Sequence, residues 1–397
     1  SKGELKDKGK YGKYVDIVSL YPTVQFLDFL PYGKPTKITE FKDCDISKYF
    51  GTIECDISPP KDLLIPLLGG KSKDGKFCFG LNDMTNVVYN SVELQKAVSI
   101  GYKITKIHEV YHFKKTKELF KSYIRTFMKG KICGGGHSGT YEEKVEFCNN
   151  YKEKFDIDVK PEELKKNPGL KAVSKLCLNS LWGKFAMRQM KTTEYITDTS
   201  KWFKLLKRNN DKEITLSIQS VQDLGDSVFV EYQENKEEKT SLTKTNIALA
   251  SFTTSQARLR LYEELEKLKE RVVYCDTDSI IYEYQENNYN VKTGKMLGDW
   301  EAEGEEDHKM LEFSGIAPKA YSYRLEGGYS DVKSKGISLT VENKELITLN
   351  AYKELIDTKL PIKSNMMDFK KNKDGMKTIH TYKDISFDDN KFKRNII

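Results

Sequence analysis

Arg271 to Tyr282 reads RVVYCDTDSIIY, and the rest of the chain is organised around this stretch. Two β-forming runs, 272–274 and 280–282, flank an acidic turn, which predicts a β-hairpin with carboxylates at its tip. Because side chains alternate along an extended chain, Asp276 and Asp278 can lie on the same side. Carboxylates in an apolar setting repel each other unless a cation lies between them, so the stretch indicates a divalent metal site. A solvated turn is the alternative interpretation.

A third carboxylate lies in an apolar run near the start of the chain. Residues 14–21 read YVDIVSLY, a β-branched pattern that predicts a strand ending at Pro22, since proline cannot donate a ladder hydrogen bond. A charge in such a strand is costly unless it is paired or binds a metal. Asp16 is therefore a candidate partner for the acidic hairpin. An aspartate on an edge strand that faces water is the alternative.

Between these acidic segments lies a distinctive helix pattern, KAVSKLCLNSLWGKFAMR at 171–188. Lys171, Lys175 and Asn179 are spaced four apart, so they line one face of the predicted helix. Two cations and an amide in a row suit the recognition of a triphosphate. Lysines that extend along an ordinary amphipathic helix are the alternative.

The other segments indicate an alternation of mixed and helical subdomains. We expect the following elements, in chain order: an α+β segment at 31–113, with a helix at 90–100 capped by Asn90 and Glu93; a basic helix at 114–131; a flexible loop at 133–140; a helix at 141–155; a helix that starts at 161–164; an interruption at Gly169; polar strands at 191–236; a long helix at 244–269; an acidic stretch at 300–307; strands near 332–340; and a helix at 342–355. The loop at 133–140 (CGGGHSGT) lacks the GK[ST] ending of a phosphate loop.

Composition bounds the class of protein. The chain has 397 residues, enough for two or three subdomains, with 66 Lys and Arg against 59 Asp and Glu, a net charge of +7. This excess and an aromatic content of 11% suit a polyanionic partner that stacks bases. The seven cysteines form no CxxC pair, so they indicate no zinc site or disulfide framework and favour a reducing compartment. No signal peptide or membrane span is predicted.

Taken together, these motifs resemble the family B DNA polymerases, in particular the protein-primed organellar and viral branch of bacteriophages, linear plasmids, adenoviruses and Maverick/Polinton transposons. The matches are DIVSLYP at 16–22 with motif A (DxxSLYP), KLCLNSLWG at 175–183 with motif B (KxxxNSxYG), YCDTDS at 274–279 with motif C (YxDTDS), and KAY at 319–321 with the KxY motif. Trp182 replaces the usual tyrosine of motif B. The four motifs follow the family's order along most of the chain.

The resemblance implies an α+β fold, a right-hand palm–fingers–thumb polymerase with an antiparallel palm sheet and helical fingers. The palm would comprise residues 1–113, with an inserted α+β segment, and 187–310, with an insertion near 191–236. The fingers would be 114–186 and the thumb 311–397. The family's exonuclease domain would precede motif A, where fifteen residues stand here. We therefore expect a polymerase core without a proofreading domain.

The resemblance also implies site residues. Two Mg²⁺ ions, with Mn²⁺ as an alternative, would be bound by Asp16, Asp278 and the backbone carbonyl of Ile17, while Asp276 supports the hairpin as the third catalytic carboxylate. In the nucleotide site, the backbone amides of Val18, Ser19 and Leu20 would hold the triphosphate. The side chains of Tyr21, Lys171, Lys175 and Asn179 would complete the site. Tyr21 would exclude a 2′-hydroxyl. Ser180, Trp182 and Gly183 would line the nascent base pair, and Lys319 and Tyr321 would hold the primer.

The expected function is that of a template-dependent DNA polymerase core, which adds dNTPs to a primer 3′-hydroxyl by two-metal nucleotidyl transfer. DNA replication of a mobile element or virus is the expected context. The partners would be primer–template DNA, dNTPs and a terminal priming protein, with no membrane. One alternative is a catalytically silent nucleic-acid-binding fragment. Another is a reverse transcriptase or other palm-type transferase, which the Asp-Thr-Asp turn and the KxxxNS helix disfavour.

Overall fold

The computed structural model is an α+β protein, as the sequence predicts. It describes residues 2–4, 10–71, 77–187, 191–210, 216–223, 227–234, 245–303, 309–372 and 375–387. Among these residues, no helix combines the length and the apolar character needed to cross a membrane.

The described helices alternate with groups of strands. They are α1 (Leu20–Leu27), α2 (Ser91–Ser99), α3 (Lys121–Gly135), α4 (Tyr141–Phe155), α5 (Pro168–Phe185), α6 (Thr199–Asn210), α7 (Ile247–Leu268), α8 (Val341–Leu346) and α9 (Leu349–Thr358). Single 3₁₀ turns are formed by Pro161–Glu163 and Lys269–Arg271. The helix predicted to start at residue 161 is thus one turn, and Gly169 lies within the first turn of α5 instead of interrupting a helix.

The described strands form five sheets. They are β1 (Lys2–Glu4), β2 (Tyr11–Ile17), β3 (Leu30–Ile38), β4 (Gly51–Ser58), β5 (Gly69–Lys71), β6 (Phe77–Phe79), β7 (Met84–Asn90), β8 (Lys103–Thr116), β9 (Lys191–Ile196), β10 (Leu216–Asp223), β11 (Val228–Glu234), β12 (Val272–Asp276), β13 (Ser279–Tyr284), β14 (Trp300–Ala302), β15 (Met310–Ala317), β16 (Ala320–Leu325), β17 (Ser330–Ser334), β18 (Ile362–Asn372) and β19 (Gly375–Ile385).

The central sheet has eight strands in the order β12-β13-β2-β15-β16-β17, with β1 on β15 and β14 on β2. Neighbouring strands are antiparallel. Strand β2 is the middle of this sheet, because β13 pairs with one of its edges while β14 and β15 pair with the other. Asp16 consequently lies opposite Ser279 on one side and Glu301 on the other.

The first strand ends earlier than its sequence predicts. Strand β2 stops at Ile17, Ser19 takes a left-handed φ of 56°, and α1 begins at Leu20 with Pro22 in its first turn. A proline there loses no helix hydrogen bond, because the first amides of a helix have no intrahelical acceptor. The hydroxyl of Thr23 donates to the carbonyl of Ser19 at 2.9 Å and holds this strand-to-helix turn. The prediction of a strand as far as Tyr21 was therefore wrong.

The segment from β3 to β8 forms the expected α+β subdomain. Its four-stranded sheet runs β3-β8-β4-β7 beside the β5-β6 ladder, and α2 packs on it. Along β4, buried residues alternate with partly exposed ones, which is the pattern of a strand with one face on the core. The helix predicted from residue 114 begins later, because residues 114–116 complete β8 and α3 starts at Lys121.

Helices α3, α4 and α5 form the region predicted as helical fingers. Helix α4 spans the predicted residues, and a capping box between Thr140 and Glu143 fixes its start. The loop predicted from residue 133 starts late, since α3 continues to Gly135. A Cβ atom on Gly134 would lie 2.7 Å from the backbone nitrogen of Lys171, so the missing side chain lets α3 and α5 pack closely.

The segment 191–234 contains the predicted strands and an additional helix. Strands β10, β11 and β9 form a separate antiparallel sheet, and α6 packs on β9 and β10. The core between them contains Leu205 of α6 and Val230 of β11. Sequence analysis did not predict α6.

The C-terminal region combines sheet strands, two helices and a hairpin. Strands β15 to β17 continue the central sheet, so the predicted boundary at residue 311 lies inside that sheet. The buried side chains of Tyr352 and Leu355 on α9 pack in one cluster with Ile316 of β15. Strands β18 and β19 form a two-stranded hairpin. The division into palm and thumb stays a prediction.

Candidate active site

The acidic stretch forms the predicted hairpin. Asp276 ends β12, Thr277 and Asp278 make the turn, and Thr277 has a φ of 52°. The amide of Asp278 and the hydroxyl of Ser279 both donate to the carbonyl of Asp276, at 2.6 and 3.2 Å. Residues 280–282 of β13 are fully buried, which agrees with the apolar setting that made this turn a candidate site.

The fold brings Asp16 and Asp278 together. The backbone nitrogen of Ile17 donates to the carbonyl of Asp278 at 2.7 Å, so the turn lies beside the end of β2. Burial raises the pKa of Asp16 to about 7, with contributions from Asp278, Glu303 and Glu301 that outweigh the opposing effect of Lys175. Burial, followed by Asp276, also raises the pKa of Asp278. A cation between the Asp16 and Asp278 carboxylates would relieve this repulsion.

This pair of carboxylates fits a Mg²⁺ site that is completed by a substrate. Mg²⁺ in proteins is usually bound by one or two carboxylates together with substrate phosphates and water. Among the residues that the structure describes, no group of three or more His, Cys, Asp or Glu side chains is arranged to hold a metal alone. Ligation by the carbonyl of Ile17 stays a prediction.

Asp276 has a different partner from Asp278. Its carboxylate lies 3.3 Å from the ammonium group of Lys319, and Lys319 has a φ of 62° in the tight turn between β15 and β16. The amide of Lys319 donates to the hydroxyl of Tyr274 at 2.8 Å. The hairpin and the Lys319 turn therefore support each other. The division of roles between Asp276 and Asp278 stays a prediction.

Tyr321 lies inside an aromatic cluster. Its side chain is 5% exposed, its hydroxyl lies 3.1 Å from that of Tyr14, and its ring lies 4.7 Å from that of Tyr274. Burial, followed by the hydrogen bond to Tyr14, raises the pKa of Tyr321. The residue stiffens the strand beside Lys319. A direct contact between Tyr321 and a primer stays a prediction.

Helix α5 places its predicted cations at the site. Lys171, Lys175 and Asn179 are exposed, and Lys175 lowers the pKa of both Asp16 and Asp278 by its charge. Ser180, farther along this helix, is also exposed. Among the residues that the structure describes, none outside the adjacent chain has an atom within 4 Å of the position where Gly183 would carry a Cβ.

Lys131 is a third cation, and sequence analysis missed it. Its ammonium group, on α3, donates to the hydroxyl of Ser19 at 2.7 Å. Burial and the nearby charges of Lys175 and Lys171 lower the pKa of Lys131 to about 8, against the opposing effects of Glu301 and Asp16. The sequence contains a signal for the packing that brings Lys131 close to α5. Gly130 and Gly134 are four residues apart on α3, and both lie against α5.

Two carboxylates of the acidic stretch also lie beside the site. Glu301 is the cross-strand neighbour of Asp16 in the β14–β2 pair, and the backbone nitrogen of Glu303 donates to the carbonyl of Tyr14 at 2.9 Å. Both are exposed and raise the pKa of Asp16. Sequence analysis noted the acidic character of this stretch but did not place it in the central sheet.

The backbone amides predicted to hold a triphosphate lie at the turn from β2 into α1. The amide of Val18 donates to the carbonyl of Asp299 at 2.9 Å, and its predicted role in holding a triphosphate stays a prediction. Ser19, Leu20 and Tyr21 remain at the N-terminal end of the helix, where amides lack an intrahelical acceptor. This end carries positive partial charge and suits phosphate oxygens.

Tyr21 and Trp182 form an aromatic wall beside these donors. Their ring centres lie 4.3 Å apart at an interplanar angle of 34°. Burial, followed by the charge of Asp278, raises the pKa of Tyr21, so this hydroxyl stays protonated at neutral pH. Trp182, which replaces the tyrosine of motif B, thus contacts Tyr21 directly.

Comparisons with known proteins give matches in sequence and in fold. A family model described as DNA polymerase type B, organellar and viral, matches residues 3–133 and 137–292. A "Probable DNA polymerase" of Podospora anserina is 26% identical over 381 residues, covering 86% of this chain and 28% of the relative. The chain therefore spans less than a third of the length of this curated relative.

Solved structures have the same fold. Phi29 DNA polymerase complexed with primer-template DNA and incoming nucleotide substrates matches with a TM-score of 0.61 at 18% identity, covering 96% of this chain and 59% of the other. The complex of Phi29 DNA polymerase with single-stranded DNA matches with a TM-score of 0.57 at 19% identity and covers 96% of this chain and 58% of the other. At these identities the likeness concerns the fold: a right-hand arrangement with an antiparallel central sheet.

Proposed function

Because the chain belongs to the organellar and viral group of type B DNA polymerases, we propose that it extends a DNA primer on a template strand. The observation that carries this proposal is the meeting of Asp16 with Asp278 beside the cations of α3 and α5. Four separate parts of the chain supply these groups, and the arrangement matches the needs of nucleotidyl transfer: acidic metal ligands next to a cationic phosphate site.

The carboxylates of Asp16 and Asp278 are proposed to hold two Mg²⁺ ions. Bound there, the ions would activate the primer 3′-hydroxyl and neutralise charge on the leaving pyrophosphate. Asp276 would act through Lys319, since its carboxylate lies 3.3 Å from that ammonium group. Glu301 and Glu303 add negative charge around the ions.

Lys131, Lys171 and Lys175 are proposed to bind the triphosphate of the incoming dNTP. Their charges offset those that spread over the phosphoryl oxygens during transfer. The hydrogen bond from Lys131 to Ser19, 2.7 Å long, places this ammonium group at the start of α1. The amides of Ser19, Leu20 and Tyr21 at that point supply further donors.

The remaining predicted residues select the nucleotide and hold the strands. Tyr21 is proposed to exclude a 2′-hydroxyl, with Trp182 packed against its ring at 4.3 Å. Asn179, Ser180 and Gly183 would border the nascent base pair. Lys319 would contact the phosphate of the primer end, with Tyr321 as its buried support.

The context of this activity is part of the proposal. Membership of a family described as organellar and viral supports replication of a mobile element or a viral genome. Priming by a terminal protein belongs to the same proposal, since it rests on the branch of the family that the motifs resemble.

Primer extension tests the proposed activity. The protein should extend a labelled primer on a defined DNA template with dNTPs and Mg²⁺, and EDTA should stop the reaction. Asp278→Asn should lower the rate by at least about a thousandfold, because a metal ligand is lost. A matched control is Glu283→Gln on the same hairpin, whose carboxylate pairs with Lys10 at 3.4 Å. Absence of extension with Mg²⁺ or Mn²⁺ would favour a silent nucleic-acid-binding protein.

A further inference from the structure

An exposed phenylalanine just after α1 lies beside two lysines. Phe29 is 42% exposed as a residue, although its side chain is large and apolar. The ammonium groups of Lys115 and Lys117 lie 4.9 and 4.7 Å from the centre of this ring. The arrangement combines an aromatic face with two cations on a single small surface, which we call the Phe29 platform.

The backbone under the platform is held firmly. The side-chain amide of Gln256, on α7, donates to the carbonyl of Phe29 at 3.0 Å. The preceding residue, Asp28, forms an ion pair with Arg260 of the same helix at 2.7 Å. Phe50, whose ring lies 4.8 Å from that of buried Phe252, lies 5.7 Å from the ammonium group of Lys115. The ring of Phe29 is therefore presented on a fixed base.

The positive charge of the platform is not neutralised by its neighbours. Among the described residues, no carboxylate lies within ion-pair distance of Lys115 or Lys117. The charge of Lys117 acts to lower the pKa of Asp28, but the carboxylate of Asp28 is already paired with Arg260. The carboxylate of Glu118 is paired with Lys121 at 2.5 Å. Two unpaired cations beside an exposed ring are complementary to a chain that has both phosphates and flat bases.

We propose that the Phe29 platform binds single-stranded nucleic acid: the unpaired template ahead of the site of synthesis. An exposed ring can stack only on a base whose face is free, whereas bases within a duplex are covered by their neighbours. Lys115 and Lys117 contact the flanking phosphates. This inference rests on the proposed function, since a polymerase leaves the template unpaired ahead of the primer end.

The distance from the nucleotide site agrees with this strand. Phe29 follows Tyr21 by eight residues, most of them in α1, which corresponds to about 12 Å along the helix axis. A nucleic-acid strand advances by at least about 3.4 Å per nucleotide, so this distance spans about two to four nucleotides. This distance is consistent with the proposed contact to the template a few nucleotides from the nascent base pair.

Binding to primer–template duplexes with different template overhangs tests this proposal. Fluorescence anisotropy is measured in EDTA with overhangs of one and six unpaired nucleotides. The wild-type protein should bind the longer overhang more tightly. Phe29→Ala should weaken binding to the six-nucleotide overhang about 5- to 20-fold and leave binding to the one-nucleotide overhang within about twofold. Phe29→Trp, which keeps an aromatic face, should retain the preference, and Phe29→Leu should lose it.

The lysines and a control residue give independent readouts. Replacing Lys115 and Lys117 together by alanine should lower the slope of log Kd against log salt by about 1 to 2 for the six-nucleotide overhang. The control is Tyr32→Ala, because Tyr32 is about as exposed as Phe29, at 43%. In the β3–β8 ladder, Tyr32 lies opposite Lys114, whereas Pro31 lies opposite Lys115. Since side chains alternate along a strand, Tyr32 and Lys114 face the other side of the sheet from Lys115. Tyr32→Ala should behave as the wild type, with an unchanged melting temperature confirming the fold of each variant.

Two outcomes overturn the platform. One is a wild-type affinity that does not depend on overhang length. The other is a Phe29→Ala protein that keeps the wild-type preference for the longer overhang. That result would favour an acidic protein as the partner of this surface. The proposed function is tested separately, by incorporation of one dNTP opposite the one-nucleotide overhang with Mg²⁺. If the wild type fails in that reaction, the polymerase proposal fails, whatever the anisotropy shows.

Discussion

At the scale of single residues, the ionisation of Asp16 links the site to stability. Its pKa is raised from 3.8 to about 7, mainly by burial and then by Asp278. Folding therefore favours the protonated form. The stability that this protonated carboxyl contributes is complete below about pH 4 and is lost as the pH rises through 7. Above that pH, the folded protein carries a half-buried charge beside Asp278.

Asp16→Asn should consequently stabilise the protein at high pH. In EDTA at pH 8, we expect a gain of about 1–2 kcal/mol, a value reduced from the full pKa shift because the carboxyl is partly exposed to solvent. The gain should shrink towards pH 5. Urea unfolding at both pH values measures it, with Asp62→Asn at an exposed position as the control. Equal effects of Asp16→Asn at pH 5 and pH 8 would contradict the raised pKa.

Lys131 gives a second prediction at this scale. Lys131→Ala should raise the KM for dNTP about tenfold or more, because the cation next to Ser19 is lost from the proposed triphosphate site. Lys129→Ala is a matched control two residues away on α3, since Lys129 pairs with Glu163 at 3.1 Å. Steady-state extension at varied dNTP concentration measures both variants. Equal KM values for the two variants would exclude Lys131 from the nucleotide site.

Tyr21 is expected to determine the choice of sugar. Tyr21→Ala should increase incorporation of ribonucleotides relative to deoxynucleotides by about tenfold or more, because the ring that would block a 2′-hydroxyl is removed. Tyr21→Phe keeps the ring and should keep the discrimination. Single-nucleotide incorporation with matched dNTP and NTP gives the ratio. If Tyr21→Ala leaves that ratio unchanged, another group excludes the ribose.

At the scale of elements, a buried carboxylate joins the inserted subdomain to α7. Asn90 and Glu93 were predicted to cap the start of α2, but the side chain of Asn90 makes no cap hydrogen bond. The side chain of Glu93 is 3% exposed and binds Arg258 at 2.8 Å. The hydroxyl of Ser255 also donates to it, at 2.5 Å. The neighbouring Asn90 donates to Ser255 at 2.8 Å, so α2 and α7 are joined by a polar network inside the protein.

Glu93→Ala should destabilise the protein by about 3–5 kcal/mol, because Arg258 and Ser255 lose a shared buried acceptor. The matched control uses the same two helices: Glu266→Ala breaks an exposed pair with Lys96 of 2.8 Å and should cost less than about 1 kcal/mol. Urea unfolding compares the two variants. Similar losses would mean that the buried network does not couple the insertion to α7.

At the scale of the whole molecule, the central sheet is assembled from distant parts of the chain. Strand β2 comes from the start, β12 and β13 from the middle, and β15 to β17 from the region that sequence analysis assigned to the thumb. The buried Glu312 of β15 forms ion pairs with Arg324 of β16 and Lys353 of α9, which fastens the C-terminal helices to the sheet.

Truncation tests this dependence. A chain that ends after Lys309 lacks three strands of the central sheet, and the rest of that sheet should not fold. A chain that ends after Leu360 loses only the β18–β19 hairpin and the residues after it, and should keep the central sheet. Limited proteolysis and gel filtration distinguish a folded core from a collapsed chain. Survival of the sheet in the shorter protein would show that β15 to β17 are not needed to hold β2.

Local patterns were sufficient for the elements that carry the motifs. Alternating and β-branched residues predicted the hairpin of Asp276 and Asp278, and the four-residue spacing of Lys171 and Lys175 predicted the cationic face of α5. Boundaries were less certain, because Pro22 suits the first turn of a helix as well as the end of a strand. Gly134 belongs to a helix here, although its neighbours resemble a loop.

The sequence alone thus determined the acidic hairpin, the cationic helix and the family to which their spacing points. Only the tertiary structure decided that Lys131 contacts Ser19 and that Glu301 lies opposite Asp16. The same holds for the burial of Glu93 against Arg258 and for the position of Phe29 beside two lysines. The physical reason is the separation along the chain of the residues that come into contact. Spacing within one element fixes which side chains share a face, whereas these contacts depend on how separate elements pack against each other.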